Sequence, residues 1–151
     1  MLPFETQIGD AIKDAMRARD QIRLDCLRAM KSALKYKFVE KEQKDLTEDE
    51  AFQVFQSLIK QRRDAADQYK QHGRAEAAAK EEREIDVISS FLPKPFSEEE
   101  LDSLIQSTIA AVGAQSVKDL GKVMRELKSK IVGRADAKKV TERVQKLLAV
   151  A

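Results

Sequence analysis

Two prolines one residue apart, in Leu92-Pro-Lys-Pro95, interrupt a chain whose other residues favour helix almost from end to end. Proline donates no amide and disfavours helical backbone at the residue before it, so no helix runs through this point. On both sides Ala, Leu, Lys, Glu, Arg and Gln dominate, and strand-forming aromatic residues and Thr are scarce. A chain of 151 residues, 42% of them hydrophobic, is long enough to bury one core or two small ones. We therefore expect an all-α protein in two parts: an N-terminal four-helix domain over 1–93 and a small C-terminal three-helix domain over 94–151.

The apolar spacing supports this division. Phe4, Ile8, Ile12 and Met16 recur at every fourth position and predict a first helix, with Asp20 placed to cap the next. That second helix carries Leu24, Leu27, Met30, Leu34 and Phe38. Thr47-Glu-Asp-Glu50 has the form of a capping box. It opens a third helix with Ala51, Val54, Phe55, Leu58, Ile59, Arg62, Ala66 and Tyr69, stopped at Gly73. A fourth follows with Ala78, Ile85, Ile88 and Leu92 as its stripe. Beyond the prolines, Ser97-Glu-Glu-Glu100 is a second capping box, leading into Leu101, Leu104, Ile105, Ile109 and Val112 and ending at Gly113. Ser116-Val-Lys-Asp119 starts a helix with Leu120, Val123, Met124, Leu127 and Ile131, closed by Gly133, and Asp136 caps a last one with Val140, Val144, Leu147 and Leu148.

A formal net charge of +2 is too even to name a polyanionic partner from composition. Patterning says more. Residues 1–93 hold 17 basic and 18 acidic side chains, whereas 94–151 hold 11 and 8. Between Lys118 and Lys146 ten basic residues face four acidic ones. Lys118, Lys122 and Arg125 are spaced by four and three, as are Lys139, Arg143 and Lys146, so each helix presents a basic stripe. With Arg134 and Lys138 these are the candidate nucleic-acid contacts, although a solvated amphipathic helix shows the same spacing. A second basic run, Arg17 to Lys37, gathers seven cations against Asp20 and Asp25.

Other chemistry finds little to stand on. One Cys and one His make neither a disulfide framework nor a Cys/His zinc site within one chain, and five Gly form no phosphate-cradling loop, so no metal and no cofactor is expected. No apolar run approaches the roughly 18 residues of a membrane span and the start lacks the pattern of a signal peptide, from which we expect a soluble cytoplasmic protein without a membrane partner. His72 reads as a cation at a helix end rather than a catalyst, and Cys26 as a buried inert thiol. Glu81, Glu82, Glu84 and Asp86 read as a solvated face, with an acid/base pair as the alternative. Lys60-Gln-Arg-Arg63 is either an anion clamp or a set of partners for that acidic helix. Gly121, inside a helical pattern at a cost of about 1 kcal/mol, suggests close helix packing, or else close approach to a phosphate. Arg134, at the tip of a turn, has no local explanation.

Seven stretches in order resemble the GatB/YqeY family, and within it the small stand-alone YqeY-like proteins. They are Arg23-Leu-Asp-Cys-Leu-Arg-Ala-Met-Lys-Ser-Ala33, Lys60-Gln-Arg-Arg63, Tyr69 with Gly73-Arg74, Glu84-Ile85, Leu92-Pro93, Asp119-Leu-Gly-Lys-Val-Met124 and Gly133-Arg-Ala-Asp136. The resemblance implies a helical domain followed by a three-helix domain related to the tail of the GatB component of the glutamine-dependent aspartyl/glutamyl-tRNA amidotransferase. There the tail contacts tRNA, and the amide chemistry belongs to other domains. The resemblance thus implies a family label of carbon-nitrogen ligase with glutamine as amido-N-donor, while the residues offer no phosphate cradle, nucleophile or base for it. We expect a non-catalytic module that binds tRNA through Lys118, Lys122, Arg125, Arg134, Lys138, Lys139, Arg143 and Lys146. The alternative is a helical protein-interaction module docking on a larger partner, such as a tRNA-modifying or tRNA-charging enzyme.

Overall fold

The computed structural model describes residues 2–150; Met1 and Ala151, the outer ends of the two expected domains, lie outside it. Among the described residues there are seven α-helices, one 3-10 turn and no strand. Contacts divide the chain into two compact units, Met1–Leu92 and Pro93–Ala151.

The N-terminal unit contains α1 (Glu5–Ala18), α2 (Gln21–Glu40), α3 (Glu48–Gln71) and α4 (Ala75–Ser89). Its helix starts are set locally. The Asp20 carboxylate accepts the Arg23 amide at 3.1 Å to begin α2. At α3 the Thr47 hydroxyl accepts the Glu50 amide at 3.1 Å, and the Glu50 carboxylate accepts the Thr47 amide at 3.2 Å. Gly73, at φ 71°, takes the left-handed backbone between α3 and α4 that a side chain would disfavour. α3 lies along α4, and α2 packs on α1 and α4 and less extensively on α3. Leu27, Met30 and Leu34 of α2, Phe55 of α3 and Ile88 of α4 are fully buried. One end is filled by rings, with Phe4 5.5 Å from Phe55 and 6.4 Å, edge-on, from Phe91.

Two expected faces are turned by one position. On α1 Ala15 is buried and Met16 is 55% exposed, so the strict four-residue spacing drifts off the interface as a helix of 3.6 residues per turn must. On α4 the buried positions are Ala78, Glu84, Val87 and Ile88, with Ile85 only half-buried. Glu84 therefore leaves the solvated face expected for its acidic run.

In the C-terminal unit α5 (Glu98–Val112), the 3-10 turn Val117–Asp119, α6 (Leu120–Ile131) and α7 (Ala137–Val150) enclose a core of Ile105, Val123, Leu127, Ile131, Val140, Val144 and Leu148. Gly113 and Gly133, at φ 68° and 78°, close α5 and α6. The Asp136 carboxylate accepts the Lys138 amide at 3.1 Å at the start of α7. The Ser97 hydroxyl accepts the Glu100 amide at 3.1 Å, but the Glu100 carboxylate turns to that hydroxyl instead of to the Ser97 amide expected of a capping box. The Ser116 segment forms a 3-10 turn before α6, and the Asp119 carboxylate accepts the Gln115 amide at 2.9 Å. This bond and the nearby Lys122 hold the Asp119 carboxyl below its usual range.

Candidate nucleic-acid interface

The basic stripe on α6 survives folding. On α6 Lys122 and Arg125 are exposed, opposite the buried Val123, Leu127 and Ile131, as a periodicity of 3.6 requires, and Lys118, expected to continue the stripe, is exposed on the 3-10 turn before the helix. Among the described residues Lys118 and Arg125 make no ion pair, and Lys122 reaches Asp119 only at 4.0 Å. On α7, Lys138, Lys139 and Lys146 are exposed and also make no ion pair among the described residues. These six cations leave their charge in solvent, where a phosphate backbone could take it up.

Two of the eight candidates are occupied within the unit. Arg143 grips Asp102 of α5 with two parallel bonds, Nε to Oδ1 at 2.7 Å and Nη2 to Oδ2 at 2.6 Å. This fork draws the Asp102 carboxyl below its usual range and raises Arg143 further. Arg134 lies over the Phe96 ring at 3.6 Å, donates Nε to the Lys94 carbonyl at 2.8 Å and reaches Glu100 at 3.9 Å. Phe96 returns a bond, its amide donating to the Arg134 carbonyl at 3.2 Å. The turn-tip arginine that local sequence left unexplained thus fastens the Pro93–Ser97 segment to the α6–α7 turn. Sequence reasoning missed its partner Phe96 and the Arg143 partner Asp102, since neither lies within helical reach along the chain.

Gly121 does not pack closely. It is exposed, and a Cβ there would meet nothing within 4 Å, so neither close helix contact nor a crowded backbone in this structure accounts for it.

The remaining candidates lie in the N-terminal unit. Arg62 Nε meets Glu84 Oε2 at 3.2 Å, both largely buried, and Arg62 Nη1 donates to the Leu58 carbonyl at 3.3 Å. Of the two readings for Lys60-Gln-Arg-Arg63, the pairing with the acidic helix is the one formed, through Arg62. Lys70 of α3 likewise pairs with Glu82. Burial pushes the Glu81 carboxyl up, helped by its neighbour Glu84 and opposed by Arg62. The Cys26 thiol is fully buried, lies 3.5 Å from the Glu84 carbonyl, and is pushed up to about 11 by burial. His72 caps α3, with Nδ1 2.8 Å from the Gln68 carbonyl. The described residues gather no group of three or more His, Cys, Asp or Glu able to hold a metal, and no helix among them is long and apolar enough to cross a membrane.

A family model described as Yqey-like protein matches residues 5–148. The chain is also similar to yeast proteins named altered inheritance of mitochondria protein 41, mitochondrial. It is 30% identical to that of Lachancea thermotolerans over 100 residues, covering 65% of this chain and 54% of the relative. The Saccharomyces cerevisiae (strain YJM789) protein is 32% identical over 94 residues, 62% of this chain and 50% of the relative. That of Vanderwaltozyma polyspora is 31% identical over 97 residues, 63% and 52%. The chain spans about half the length of the curated relatives it matches.

Proposed function

The chain belongs to the YqeY-like family, and on that premise we propose that it is a non-catalytic RNA-binding module whose ligand is folded tRNA. The observation that carries the reading is the set of exposed cations without close acidic partners: Lys118 on the 3-10 turn, Lys122 and Arg125 on α6, and Lys138, Lys139 and Lys146 on α7. Arg134 and Arg143 act in this reading as positioning residues. Their guanidiniums hold Phe96 and Asp102, so Arg134 fixes the α6–α7 turn and Arg143 ties α7, which carries Lys138, Lys139 and Lys146, to α5. Coulombic attraction to phosphates gives affinity with little sequence selectivity. Few aromatic side chains are present for stacking on splayed bases, which favours a structured RNA recognised by shape. We read the protein as cytoplasmic, a location with which its one free thiol is compatible; the mitochondrial designation is that of the yeast relatives.

Anisotropy titration of labelled tRNA at two salt concentrations tests the reading. Replacing Lys122, Lys139 and Lys146 together with Ala lowers affinity and flattens the salt slope by about 2–3, at roughly 0.7–0.9 per phosphate contact. Unchanged affinity and slope reject this surface and leave docking on a larger protein in its place. Purified protein given glutamine, ATP and misacylated tRNA releases no ammonia or ADP above the blank; turnover there rejects the non-catalytic reading.

A further inference from the structure

A cleft of about 350 Å³ opens where α3 ends and α4 begins, lined by Ala65, Gln68, Tyr69, His72 and Arg74. None of these carries a carboxylate. A second cleft lined from the same two helices differs: there Asp67, Glu82 and Asp86 stand among Arg63 and Lys70, and Lys70 is already paired with Glu82.

In the first cleft Arg74 is held but not neutralised. Its guanidinium lies over the Tyr69 ring, 5.5 Å from the centroid, and among the described residues it forms no ion pair and no side-chain hydrogen bond. Helix architecture does not account for it: as the N-cap of α4 it makes no capping bond, and a cation is the less favoured charge at that end of a helix. His72 is set by the end of α3. The Gln68 carbonyl, which only accepts, faces Nδ1 at 2.8 Å, so that nitrogen carries the hydrogen and Nε2 is left without a partner among the described residues. The Tyr69 carbonyl accepts the Arg74 amide at 2.8 Å and the Lys70 carbonyl accepts the Gly73 amide at 3.2 Å, which lessens their repulsion of an anion. An anchored guanidinium presents parallel donors to the oxygens of an oxyanion. An open imidazole nitrogen accepts the hydrogen of a singly protonated phosphate or, once protonated itself, donates to the doubly charged form. Sulfate and carboxylate have no hydrogen to give at neutral pH and use only the second arrangement.

We propose that this cleft binds a phosphate monoester, with Arg74 forked onto its oxygens, His72 Nε2 sharing a hydrogen with it and the Tyr69 ring holding the guanidinium in place. The site is separate from the α6–α7 cations and does not rest on tRNA being their ligand. A phosphate at the end of an RNA and one on a free small molecule present the same chemistry to it.

The test is a nuclear magnetic resonance titration of the full chain at constant ionic strength with inorganic phosphate, sulfate, adenosine 5′-monophosphate and adenosine, and circular dichroism confirms that each variant keeps its helix. Phosphate and the monophosphate give saturable shifts at the Arg74 side-chain Nε–H and the His72 ring, and adenosine gives none. Arg74→Ala weakens phosphate binding roughly tenfold or more, and Arg74→Lys does not restore it because the fork is lost. Tyr69→Leu weakens it about threefold by freeing the guanidinium, whereas Tyr69→Phe retains it. Arg63→Ala, which removes an exposed cation of α3 outside the cleft, leaves it unchanged. Phosphate binds more tightly than sulfate, and His72→Ala removes that preference. The absence of saturable shifts, a loss in Arg74→Ala no greater than in Arg63→Ala, or sulfate binding as tight as phosphate binding overturns the proposal. A short RNA with and without its 5′ phosphate separates the two sources: Arg74 shifts with the phosphorylated RNA assign the site to an RNA end, and shifts with the monophosphate alone assign it to a free ligand, each in support of the cleft. Unchanged tRNA affinity and salt slope in the Lys122, Lys139 and Lys146 variant, with the phosphate shifts intact, reject the α6–α7 reading and leave this one standing.

Discussion

The Arg134 guanidinium sits 3.6 Å above the centre of the Phe96 ring while its Nε holds the Lys94 carbonyl at 2.8 Å, so one side chain closes the segment that follows Pro93. A partly exposed cation over a ring contributes about 0.5–1 kcal/mol, and the carbonyl bond adds to it. Arg134→Ala and Phe96→Ala should each lower the thermal midpoint, and a double-mutant cycle should return a coupling of about 1 kcal/mol. Additive effects would mean that the stacked geometry carries no energy. Arg134→Lys should not rescue it, since an ammonium lacks the flat fork that stacks and donates together.

The Arg62–Glu84 pair predicts a larger effect in the N-terminal unit. Both side chains are largely buried, and removing one partner leaves the other charge with little solvent. Breaking a buried pair costs roughly 3–5 kcal/mol, and a residual opening to water should put Glu84→Ala near the lower end. Denaturant unfolding checks this. The double replacement Arg62→Met with Glu84→Leu should recover part of the loss, and a double variant as weak as the single one would contradict the charge argument.

Cys26 predicts the sign of a pH dependence. Its ordinary value of 9.0 rises to about 11 in the folded protein because burial opposes the thiolate. Between these values the unfolded chain releases a proton that the folded chain keeps, so the thiol's contribution falls as pH rises from 9.0 to about 11 and is fully present below that window. Stability of the wild type should therefore fall more steeply over that window than stability of Cys26→Ala. Equal slopes in chemical unfolding would contradict a buried protonated thiol. The same burial predicts no reaction with a thiol reagent at about pH 8 until denaturant is added.

Residues 1–92 should fold as an isolated fragment with one cooperative thermal transition, since they carry their own capped helices and buried apolar positions. A gradual, non-cooperative melt would reject that unit as an independent domain. The fragment 93–151 should be weaker, because a chain near 60 residues buries only about 60% of its surface. Within α3, Thr47→Ala should cost about 1 kcal/mol by removing the cap that the Glu50 amide uses.

What was legible in the sequence is what is decided within about four residues of chain. Asp20, Thr47, Ser97 and Asp136 do begin helices or their first turns, and Gly73, Gly113 and Gly133 do take left-handed backbone. The all-α class, the helical break at Leu92-Pro-Lys-Pro95 and the solvent exposure of the α6 lysines follow from the same short-range rules. Tertiary structure alone decided which side chains meet: Arg143 with Asp102 at 41 residues' separation, Arg134 with the Lys94 carbonyl at 40, Arg62 with Glu84 at 22. It also turned α1 so that Ala15 is buried and Met16 is not, and drew Glu84 out of its acidic run into a pair. Helix signals arise from bonds and contacts between i and i+4, which any chain of this sequence forms wherever its helices lie. A partner tens of residues away is fixed only when helices settle at particular rotations and offsets, and that choice is made by the packing of the whole unit.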